Sequence, residues 1–579
     1  MSTKKIKGKK RGKTIQDGSD WNTRLGNLFR SKNFDIMIPI IMVLSLINSI
    51  RAAASQYYIL EYPDDIVWVS WASQHFDQPL SILLDKQGTG LRPMINFLYA
   101  IGYSLWGSNE VYYYLMNGVL FAGSMVFLYL LIKMLHSRLA GVIGVFLYLF
   151  LDASFILVWK MNYTTSIAEI FFITSSLYFS IHFFEKADKK SMVLAIILGI
   201  FAFLSKEPSI LIIPTVNILY LLHKWNSIET EKRIPALLVN ISLPLLFLLM
   251  TFAVSSEVSA PREGSLIELV KTRLATYIEL EISDTQGQLK NPYLLLLACA
   301  GTFFFHKFKK EEYGGIHINR IKDAISVLII ALAVIFSQEG FLYSLNGSIL
   351  IILLMGISFV FGNVGQRLGI AWFGVALAPL LVTTQIVQPT YLAEPNLGIC
   401  LFIGVTIADY LKYIFSREVY ELKDGSDAGH LLKIANIAIV VLILLLQIPA
   451  AFTEIENTNG YHKMVSDSQT SFKEAVEYLK VSVPKNGTIY YISTEQRQKV
   501  GGGQIDADVF QWLLCFKGRC DIRVEKLASE QPKDGYIALL SNLDVYIFTN
   551  EYKDLIERAY VLKEIKNGER VAYIVGIKK

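Results

Sequence analysis

Charged residues are scarce in this chain of 579 residues. Asp, Glu, Lys and Arg together make up 18% of it, whereas 53% is hydrophobic and the mean hydropathy is +0.40. A soluble protein of this size carries charge on about a quarter of its residues. The scarcity of charge therefore argues against a water-soluble globular protein and indicates an integral membrane protein.

Cysteine is also scarce, with four residues in the chain. The sequence contains no CxxC pair and no histidine cluster, which argues against a metal or redox centre built from such residues. Cys299 and Cys400 lie in apolar runs, where a small hydrophobic residue is the expected role. Cys515 and Cys520 lie in a polar region. Their spacing fits a small disulfide loop if that region is outside the cell.

The net charge of +5 is small, and Lys and Arg concentrate between Lys4 and Lys13. A basic run can indicate nucleic-acid binding. Beside a membrane segment, however, the positive-inside rule and anionic lipid headgroups explain it better. We therefore expect no nucleic-acid partner, and we interpret residues 1–35 as a cytoplasmic tail.

Apolar windows long enough to cross about 30 Å of hydrocarbon recur between residues 36 and 452. They number roughly thirteen by this length criterion, and they lie near residues 36–54, 94–107 continuing through 110–132, 139–158, 163–184, 191–205, 208–223, 235–254, 292–308, 323–338, 344–362, 368–387, 396–415 and 432–451. Lys and Arg occur in every second connection, which predicts a cytoplasmic side for those connections. The loops 55–92 and 255–291, and everything after about residue 453, are then predicted to lie outside.

Residues 453–579 have the composition of a soluble domain. Helical periodicity covers Ser471–Val481, and a buried-strand pattern covers Thr488–Ile492. Further candidates are strands at Ile522–Val524, Val545–Thr549, Tyr560–Ile565 and Val571–Val575, and a helix near Glu551–Arg558. This alternation predicts a small extracytoplasmic α/β domain.

Two adjacent acids follow the first apolar segment closely. If the segment after Pro63 is helical, Asp64, Trp68 and His75 share one face of the helix. Asp64 and Asp65 would point about 100° apart, so one of them would face a given substrate. An interfacial helix with Trp at headgroup level and solvated acids is the alternative.

Charged residues also occur where lipid makes them costly. Arg92 opens an apolar segment at the same predicted outer face, where a guanidinium can bind a phosphate or a carboxylate. A snorkelling interfacial Arg is the alternative. Lys206 and Glu207 form a tight outer turn between two apolar runs. Lys206 suits a lipid phosphate, and Glu207 could orient it or pair with Arg92; a self-compensating turn before Pro208 is the alternative.

In this order, the motifs resemble those of the GT-C superfamily of polytopic glycosyltransferases, and within it the protein O-mannosyltransferase-like branch. The matching pieces are Tyr62-Pro63-Asp64-Asp65, Leu91-Arg92-Pro93-Met94, Tyr114-Leu115-Met116-Asn117, Leu204-Ser205-Lys206-Glu207 and, more weakly, Tyr391-Leu392-Ala393-Glu394-Pro395-Asn396-Leu397-Gly398. They span residues 36 to 415. Thr390 stands where relatives often have an Arg, which puts phosphate contacts from that loop in doubt.

Together with the apolar windows, the resemblance implies a polytopic α-helical membrane protein of GT-C type. About 11–13 transmembrane helices over residues 36–452 would precede the C-terminal α/β domain. The resemblance also implies a polyprenyl-phosphate sugar donor that enters from the membrane. A hexosyl or pentosyl group would pass, on the extracytoplasmic face, to a hydroxyl of a glycan, lipid or protein acceptor.

A single displacement inverts the anomeric centre and needs one general base. The resemblance places this base at Asp64, with Asp65 as an orienting or second-choice carboxylate. The residues expected at the donor phosphate are Arg92, Lys206 and Glu207. The residues expected in the substrate cleft are Trp68, His75, Asn117 and Tyr391. We expect no cofactor and no dedicated metal site, although paired acids leave a divalent cation possible.

A polytopic transporter or flippase of lipid-linked glycans is the alternative function. Its functional charges should lie near the bilayer midplane, on broken helices. This sequence instead gathers charge at one surface, although short spans that contain Pro keep the alternative open. A receptor or scaffold ranks last because so many spans exceed what an anchor needs.

Overall fold

The computed structural model describes a defined part of the chain, which is residues 35–54, 64–75, 92–159, 161–228, 230–254, 345–383, 389–415, 474–492, 499–500, 503–504, 507–526, 536–541, 559–567 and 570–577, with positions 273, 274, 276, 277, 299 and 456. The predicted spans near 292–308, 323–338 and 432–451 lie outside these residues. So do most of both predicted outer loops, the predicted strand Val545–Thr549 and the predicted helix Glu551–Arg558.

The described membrane part is built from helices. In chain order these are α1 (Met37–Ala54), α2 (Asp64–His75), α3 (Pro93–Trp106), α4 (Glu110–Leu135), α5 (Arg138–Leu149), α6 (Asp152–Trp159), α7 (Thr164–Lys186), α8 (Lys189–Phe203), α9 (Ser209–His223), α10 (Thr230–Val254), α11 (Leu345–Phe361), α12 (Val364–Thr383) and α13 (Ala393–Phe415). Short 3-10 turns lie at Met161–Tyr163, Trp225–Ser227 and Pro389–Leu392.

Length and apolarity confirm a multi-pass membrane protein. Within the described residues, four helices are long and apolar enough to cross a membrane, and they are Glu110–Leu135, Thr164–Lys186, Val364–Leu381 and Thr390–Lys412. Shorter apolar helices accompany them. Large aliphatic side chains are exposed along α1, α8 and α10, including Val43 and Leu249. In a bilayer these side chains face lipid instead of water.

Two predicted spans are broken where the sequence analysis treated each as continuous. The first break separates α3 from α4. Gly107 there has a φ of +56°, and its backbone N–H donates to the Tyr103 carbonyl. Asn109 then caps α4 by accepting the backbone N–H of Val111. A glycine at positive φ followed by an N-cap ends one helix and begins the next, so the two segments are separate helices.

The second break divides the predicted span 139–158 into α5 and α6. Phe150 ends α5, and its N–H donates to the carbonyls of Leu147 and Tyr148. The N–H of Leu151 likewise donates to the Tyr148 carbonyl. Asp152 begins α6, and the Ser154 hydroxyl donates to the Leu151 carbonyl at 2.7 Å. A hydropathy window averages these polar residues with their apolar neighbours, which is why hydropathy alone did not locate the break.

Glycines allow α12 and α13 to approach closely. A Cβ on Gly369 would meet the Gly398 carbonyl oxygen at 2.7 Å, so a larger residue would push the backbones apart. In lipid no hydrophobic driving force brings helices together, so they associate through close packing, which small residues at the contact allow. This contact fixes α13, whose first turn carries Glu394.

The C-terminal region contains a mixed α/β domain, as predicted. Its strands are β1 (Thr488–Ile492), β2 (Lys499–Val500), β3 (Gly503–Gln504), β4 (Arg523–Lys526), β5 (Tyr536–Ser541), β6 (Ala559–Asn567) and β7 (Arg570–Ile577). The main sheet has the order β4-β1-β5-β7-β6, in which β1 pairs in parallel with β4 and β5 while β7 is antiparallel to β5 and β6. Helix α14 covers residues 474–482, and α15 covers Ala507–Phe516.

The sequence analysis did not identify β5 and α15. Both are short and largely apolar, and β5 lies between two strands of the sheet. An apolar run of this length fits a strand or a buried helix segment equally well, so periodicity alone does not assign its type.

Candidate active site at one end of the helical bundle

The segment that begins at the paired acids forms helix α2, and its aromatic face packs against protein. Trp68 and Trp71 are buried. The Trp68 ring stacks on Tyr99 of α3 at 6.3 Å between centroids. The Tyr99 hydroxyl in turn donates to the Met161 carbonyl at 2.7 Å. This burial fixes α2 to the bundle and argues against a helix that merely rests its Trp residues on lipid headgroups.

The predicted site residues of α2 lie at its two ends. Asp64 and Asp65 form the beginning of the helix, and their side chains fall outside the part of the chain that the structure describes. His75 ends the helix, where its ring stacks on Trp71 at 4.9 Å and its Nδ1 lies 3.0 Å from the Trp71 carbonyl. The catalytic roles of the acids stay predictions.

Arg92 and Glu207 form an ion pair. A guanidinium nitrogen of Arg92 lies 3.3 Å from one Glu207 carboxylate oxygen and 3.5 Å from the other. The backbone supports the pair, since the N–H of Met94 donates to the Leu204 carbonyl at 3.1 Å. The start of α3 is thereby tied to the end of α8. The expectation that Glu207 could pair with Arg92 is met in this geometry.

Lys206 lies beside Glu207 but has different partners. Its Nζ donates to Glu394 Oε1 at 2.6 Å and to Ser166 Oγ at 2.9 Å, and it lies 3.9 Å from Glu169 Oε2. The three charged side chains are largely buried, and their exposed fractions are 13% for Lys206, 0% for Glu169 and 3% for Glu394. The cluster joins α7, the turn between α8 and α9, and α13.

Glu169 also stabilises the start of a helix. Its Oε1 accepts the backbone N–H of Ser209, the first residue of α9, at 2.8 Å. A carboxylate at a helix N-terminus satisfies an otherwise unpaired N–H and interacts favourably with the helix dipole. This contact offsets part of the free-energy cost of burying the Glu169 side chain in the membrane part of the protein.

The cluster is rich in acid. Glu169 and Glu394 are both buried around the single ammonium of Lys206. Buried carboxylates are strongly destabilising unless each is paired or neutralised. Lys206, the cation of this cluster, is followed in the chain by Glu207, which pairs with Arg92.

The structure thus brings together Arg92, Lys206 and Glu207, which the sequence singled out. Glu169, Ser166 and the role of Glu394 were missed. Glu169 lies within the apolar window 163–184, and an ionisable residue inside such a window is costly enough to mark it as functional. That signal was present in the sequence. The contact with Glu394, 188 positions away from Lys206, carried no such local signal.

Two further residues predicted for the cleft lie near the same end of the bundle. Asn117 is fully buried, and its Oδ1 accepts a hydrogen bond from Thr164 Oγ1 at 2.6 Å. Tyr391 is half-buried in the turn Pro389–Leu392. The neighbouring Thr390 accepts a hydrogen bond from Tyr163 at 3.5 Å. Asn117 therefore orders the start of α7, and contact of either residue with a substrate stays a prediction.

Cys515 and Cys520 are joined in a disulfide, as their spacing allowed. Among the described residues, no group of three or more His, Cys, Asp or Glu is arranged to hold a metal ion. The expectations of no cofactor and of an optional divalent cation stay predictions.

Residues 88–250 match the family model of the dolichyl-phosphate-mannose-protein mannosyltransferases. This match contains Arg92, Glu169, Lys206 and Glu207. No curated protein matches the chain by sequence.

Solved structures also resemble the chain. The apo oligosaccharyltransferase of Archaeoglobus fulgidus is 11% identical with a TM-score of 0.44, covering 86% of this chain and 65% of its own length. ArnT from Cupriavidus metallidurans bound to undecaprenyl phosphate is 13% identical with a TM-score of 0.39, covering 93% of this chain and 98% of its own. The chain thus spans about two thirds of the oligosaccharyltransferase.

Proposed function

We propose that this chain is a membrane glycosyltransferase of the GT-C superfamily, which the match of residues 88–250 to a mannosyltransferase family model supports. We propose that it moves a sugar from a polyprenyl-phosphate donor to an acceptor hydroxyl, with inversion at the anomeric carbon. The family whose model matches takes its name from a dolichyl-phosphate sugar donor and a protein acceptor. We propose the same donor class and an extracytoplasmic reaction. The acceptor is a hydroxyl of a glycan, lipid or protein.

In the proposed mechanism Asp64 is the general base. The acceptor oxygen forms a bond to the anomeric carbon while its proton passes to the Asp64 carboxylate. The bond from the anomeric carbon to the phosphate oxygen breaks, and the polyprenyl phosphate leaves with the electron pair. One carboxylate suffices for this single displacement, and Asp65 orients or supports it.

Arg92 and Lys206 stabilise the leaving phosphate. Both side chains are cationic donors, and preorganised donors at a developing anion are a major source of catalysis. Glu207 and Glu394 hold these cations in place before the donor binds, at 3.3 Å and 2.6 Å. The phosphate then competes with these carboxylates for the two cations. This competition allows the polyprenyl phosphate to dissociate after the sugar has been transferred.

One observation carries the proposal, namely the convergence of two distant cations beside α2. The start of α3 at Arg92 is hydrogen-bonded to the turn that holds Lys206, through Met94 and Leu204. Helix α2 packs on α3 and on the turn Met161–Tyr163. A phosphate at these cations would therefore lie close to the helix that begins at Asp64.

The test is sugar transfer by purified protein from a synthetic polyprenyl-phosphate sugar. We expect Asp64→Asn to lower kcat on the order of 10²- to 10⁴-fold while the protein remains folded in detergent, because the variant lacks the base. Asp65→Asn is the matched control and should retain more activity. Full activity in Asp64→Asn would remove Asp64 from the mechanism.

The same preparation tests the transport alternative. Reconstituted vesicles that move a lipid-linked sugar between leaflets without any transfer to an acceptor would support a flippase and overturn the proposed transferase. Functional charge at the bilayer midplane is typical of transporters. The cations of this site instead lie at helix ends, which favours the transferase.

A further inference from the structure

The C-terminal domain docks directly on the helix that begins at the paired acids. Helix α15 packs against α2. The Gln74 side-chain amide donates to Cys515 Sγ at 3.4 Å, and Ser73 Oγ lies 4.0 Å from Cys520 Sγ. We call residues 515–520, which the disulfide closes, the docking turn. The last turn of α2 therefore lies against the docking turn.

An aromatic contact extends this interface to the membrane helices. Phe516 is buried, and its ring lies 6.5 Å from Tyr103 of α3 and 6.2 Å from Tyr113 of α4 between centroids. Aromatic pairs at such distances contribute about 0.5–1.5 kcal/mol beyond the area that they bury. The docking turn is thus inserted between the two helices that flank the break at Gly107.

An ion pair closes the interface. Lys517 Nζ lies 3.2 Å from Glu110 Oε1, and the two side chains are 18% and 10% exposed. Glu110 is the first residue of α4, where an acid also interacts favourably with the helix dipole. Because both groups are largely withdrawn from solvent, this pair is more specific than an exposed surface contact.

We propose that the docking turn positions α2 for the transferase reaction. The positioning residues, which hold α2 in its place and orientation, are Cys515, Phe516, Lys517 and Cys520. This inference rests on the proposed function. A helix of 12 residues is marginal by itself, so packing sets its orientation. Helix α3 fixes α2 through Trp68, and the docking turn fixes it through Ser73 and Gln74. Displacement of the docking turn would shift the carboxylates at the start of the same helix.

The first test compares variants of Lys517. We expect Lys517→Met to lower kcat on the order of tenfold with little change in the donor KM, because small displacements of a reacting group cost rate more than binding. Lys517→Arg should restore at least half of the activity, since it keeps the charge that faces Glu110. Lys517 also lies 3.5 Å from Glu477, so a lysine that pairs with Glu477 cannot serve as the control. Lys485→Met is the matched control, because Lys485 is an exposed lysine of the same domain. Equal activity of Lys517→Met and Lys485→Met would overturn the proposal.

The second test measures docking without activity. Gln74→Cys combined with Cys520→Ser leaves Cys515 facing the introduced thiol. We expect an oxidant such as copper phenanthroline to join these two thiols, with loss of two electrons and two protons, and mass spectrometry to find the linked peptides. The joined form should keep most of the wild-type kcat, whereas Cys515→Ser with Cys520→Ser should lose activity.

The two proposals fail in distinguishable ways. Absence of the cross-link overturns docking whatever the activity. A cross-link in a protein that transfers no sugar supports docking and overturns the proposed transferase. A cross-linked protein with full activity, together with full activity in the doubly substituted Cys515→Ser and Cys520→Ser protein, shows that the docking turn does not position the reaction and overturns the inference.

Discussion

The two ends of the helical bundle handle buried charge in opposite ways. At the end away from the candidate site, a single carboxylate, Asp35, meets two cations and a phenol. Lys133 Nζ and the Tyr129 hydroxyl both lie 2.6 Å from its Oδ2, and an Arg138 guanidinium nitrogen lies 2.7 Å from its Oδ1. At the site end, Glu169 and Glu394 surround the one ammonium of Lys206.

The difference separates a structural cluster from a functional one. The Asp35 cluster satisfies its carboxylate fully and ties the residue before α1 to α4 and α5. The positive-inside rule predicts a surplus of positive charge of this kind at a cytoplasmic end, and the sidedness of this end stays a prediction. The Lys206 cluster has surplus acid in a dry location, which an arrangement selected for stability alone would avoid. We expect the first cluster to control stability and the second to control activity.

Removal of the cation at the site end should have the largest effect. We expect Lys206→Met to lower kcat/KM for sugar transfer on the order of 10²- to 10³-fold, because the leaving phosphate loses a preorganised donor. Initial rates with a synthetic polyprenyl-phosphate sugar measure this loss. Lys206→Met combined with Glu394→Gln removes the stranded acid, so it controls for misfolding. Activity near wild type in this folded double variant would contradict the role of Lys206.

Removal of the carboxylate at the other end should affect stability instead. We expect Asp35→Asn to cost about 2 kcal/mol of unfolding free energy, because Arg138 and Lys133 lose a charged acceptor. Thermal unfolding in detergent should show a lower midpoint, while kcat of the folded fraction stays unchanged. Asp35→Asn with Lys133→Met should cost less than the sum of the two single changes. Strict additivity would argue against the ion pair.

The pH dependence provides a control for this prediction. Burial raises the pKa of Asp35, but hydrogen bonds from Lys133 and Tyr129 outweigh it and hold the pKa below its usual range. A depressed pKa stabilises the fold above the unfolded value of about 3.9, and the stabilisation disappears as pH falls through the folded value. The stability difference between wild type and Asp35→Asn should therefore be complete at neutral pH and shrink in acid.

The smallest effect should come from an acid at the site end. Glu169→Gln keeps the oxygen that accepts the Ser209 N–H and removes surplus buried negative charge. We expect a change in unfolding free energy within about 1 kcal/mol, since Lys206 keeps its closer partner Glu394 and the cluster loses one of two buried acids. Thermal unfolding beside Asp35→Asn gives the comparison. A larger loss in Glu169→Gln than in Asp35→Asn would show that the two ends do not differ as described.

The helices and the C-terminal strands could largely be predicted, because hydrophobic patterns are local. The predicted strand Thr488–Ile492 coincides with β1, and the predicted windows 163–184 and 208–223 correspond to α7 and α9. The breaks at Gly107 and Phe150 were missed because hydropathy averages over a window and does not register a change of backbone direction.

The candidate site was only partly predictable. Arg92, Lys206 and Glu207 stood out because charge is costly at apolar segments, and the structure brings them together. The choice of partners could not be made from the sequence. Glu207 binds Arg92, and Lys206 binds Glu394 instead of depending on its neighbour in the chain.

The sequence by itself determined a multi-pass membrane protein with an α/β domain, since scarce charge and recurrent apolar windows permit little else. Only the tertiary structure decided which charges meet. Lys206 and Glu394 are 188 positions apart, and Gln74 and Cys515 are 441 positions apart. The physical reason is that hydrophobic burial depends on residue type along the chain, whereas an ion pair or a docking contact depends on which helix ends the packing brings within a few ångströms.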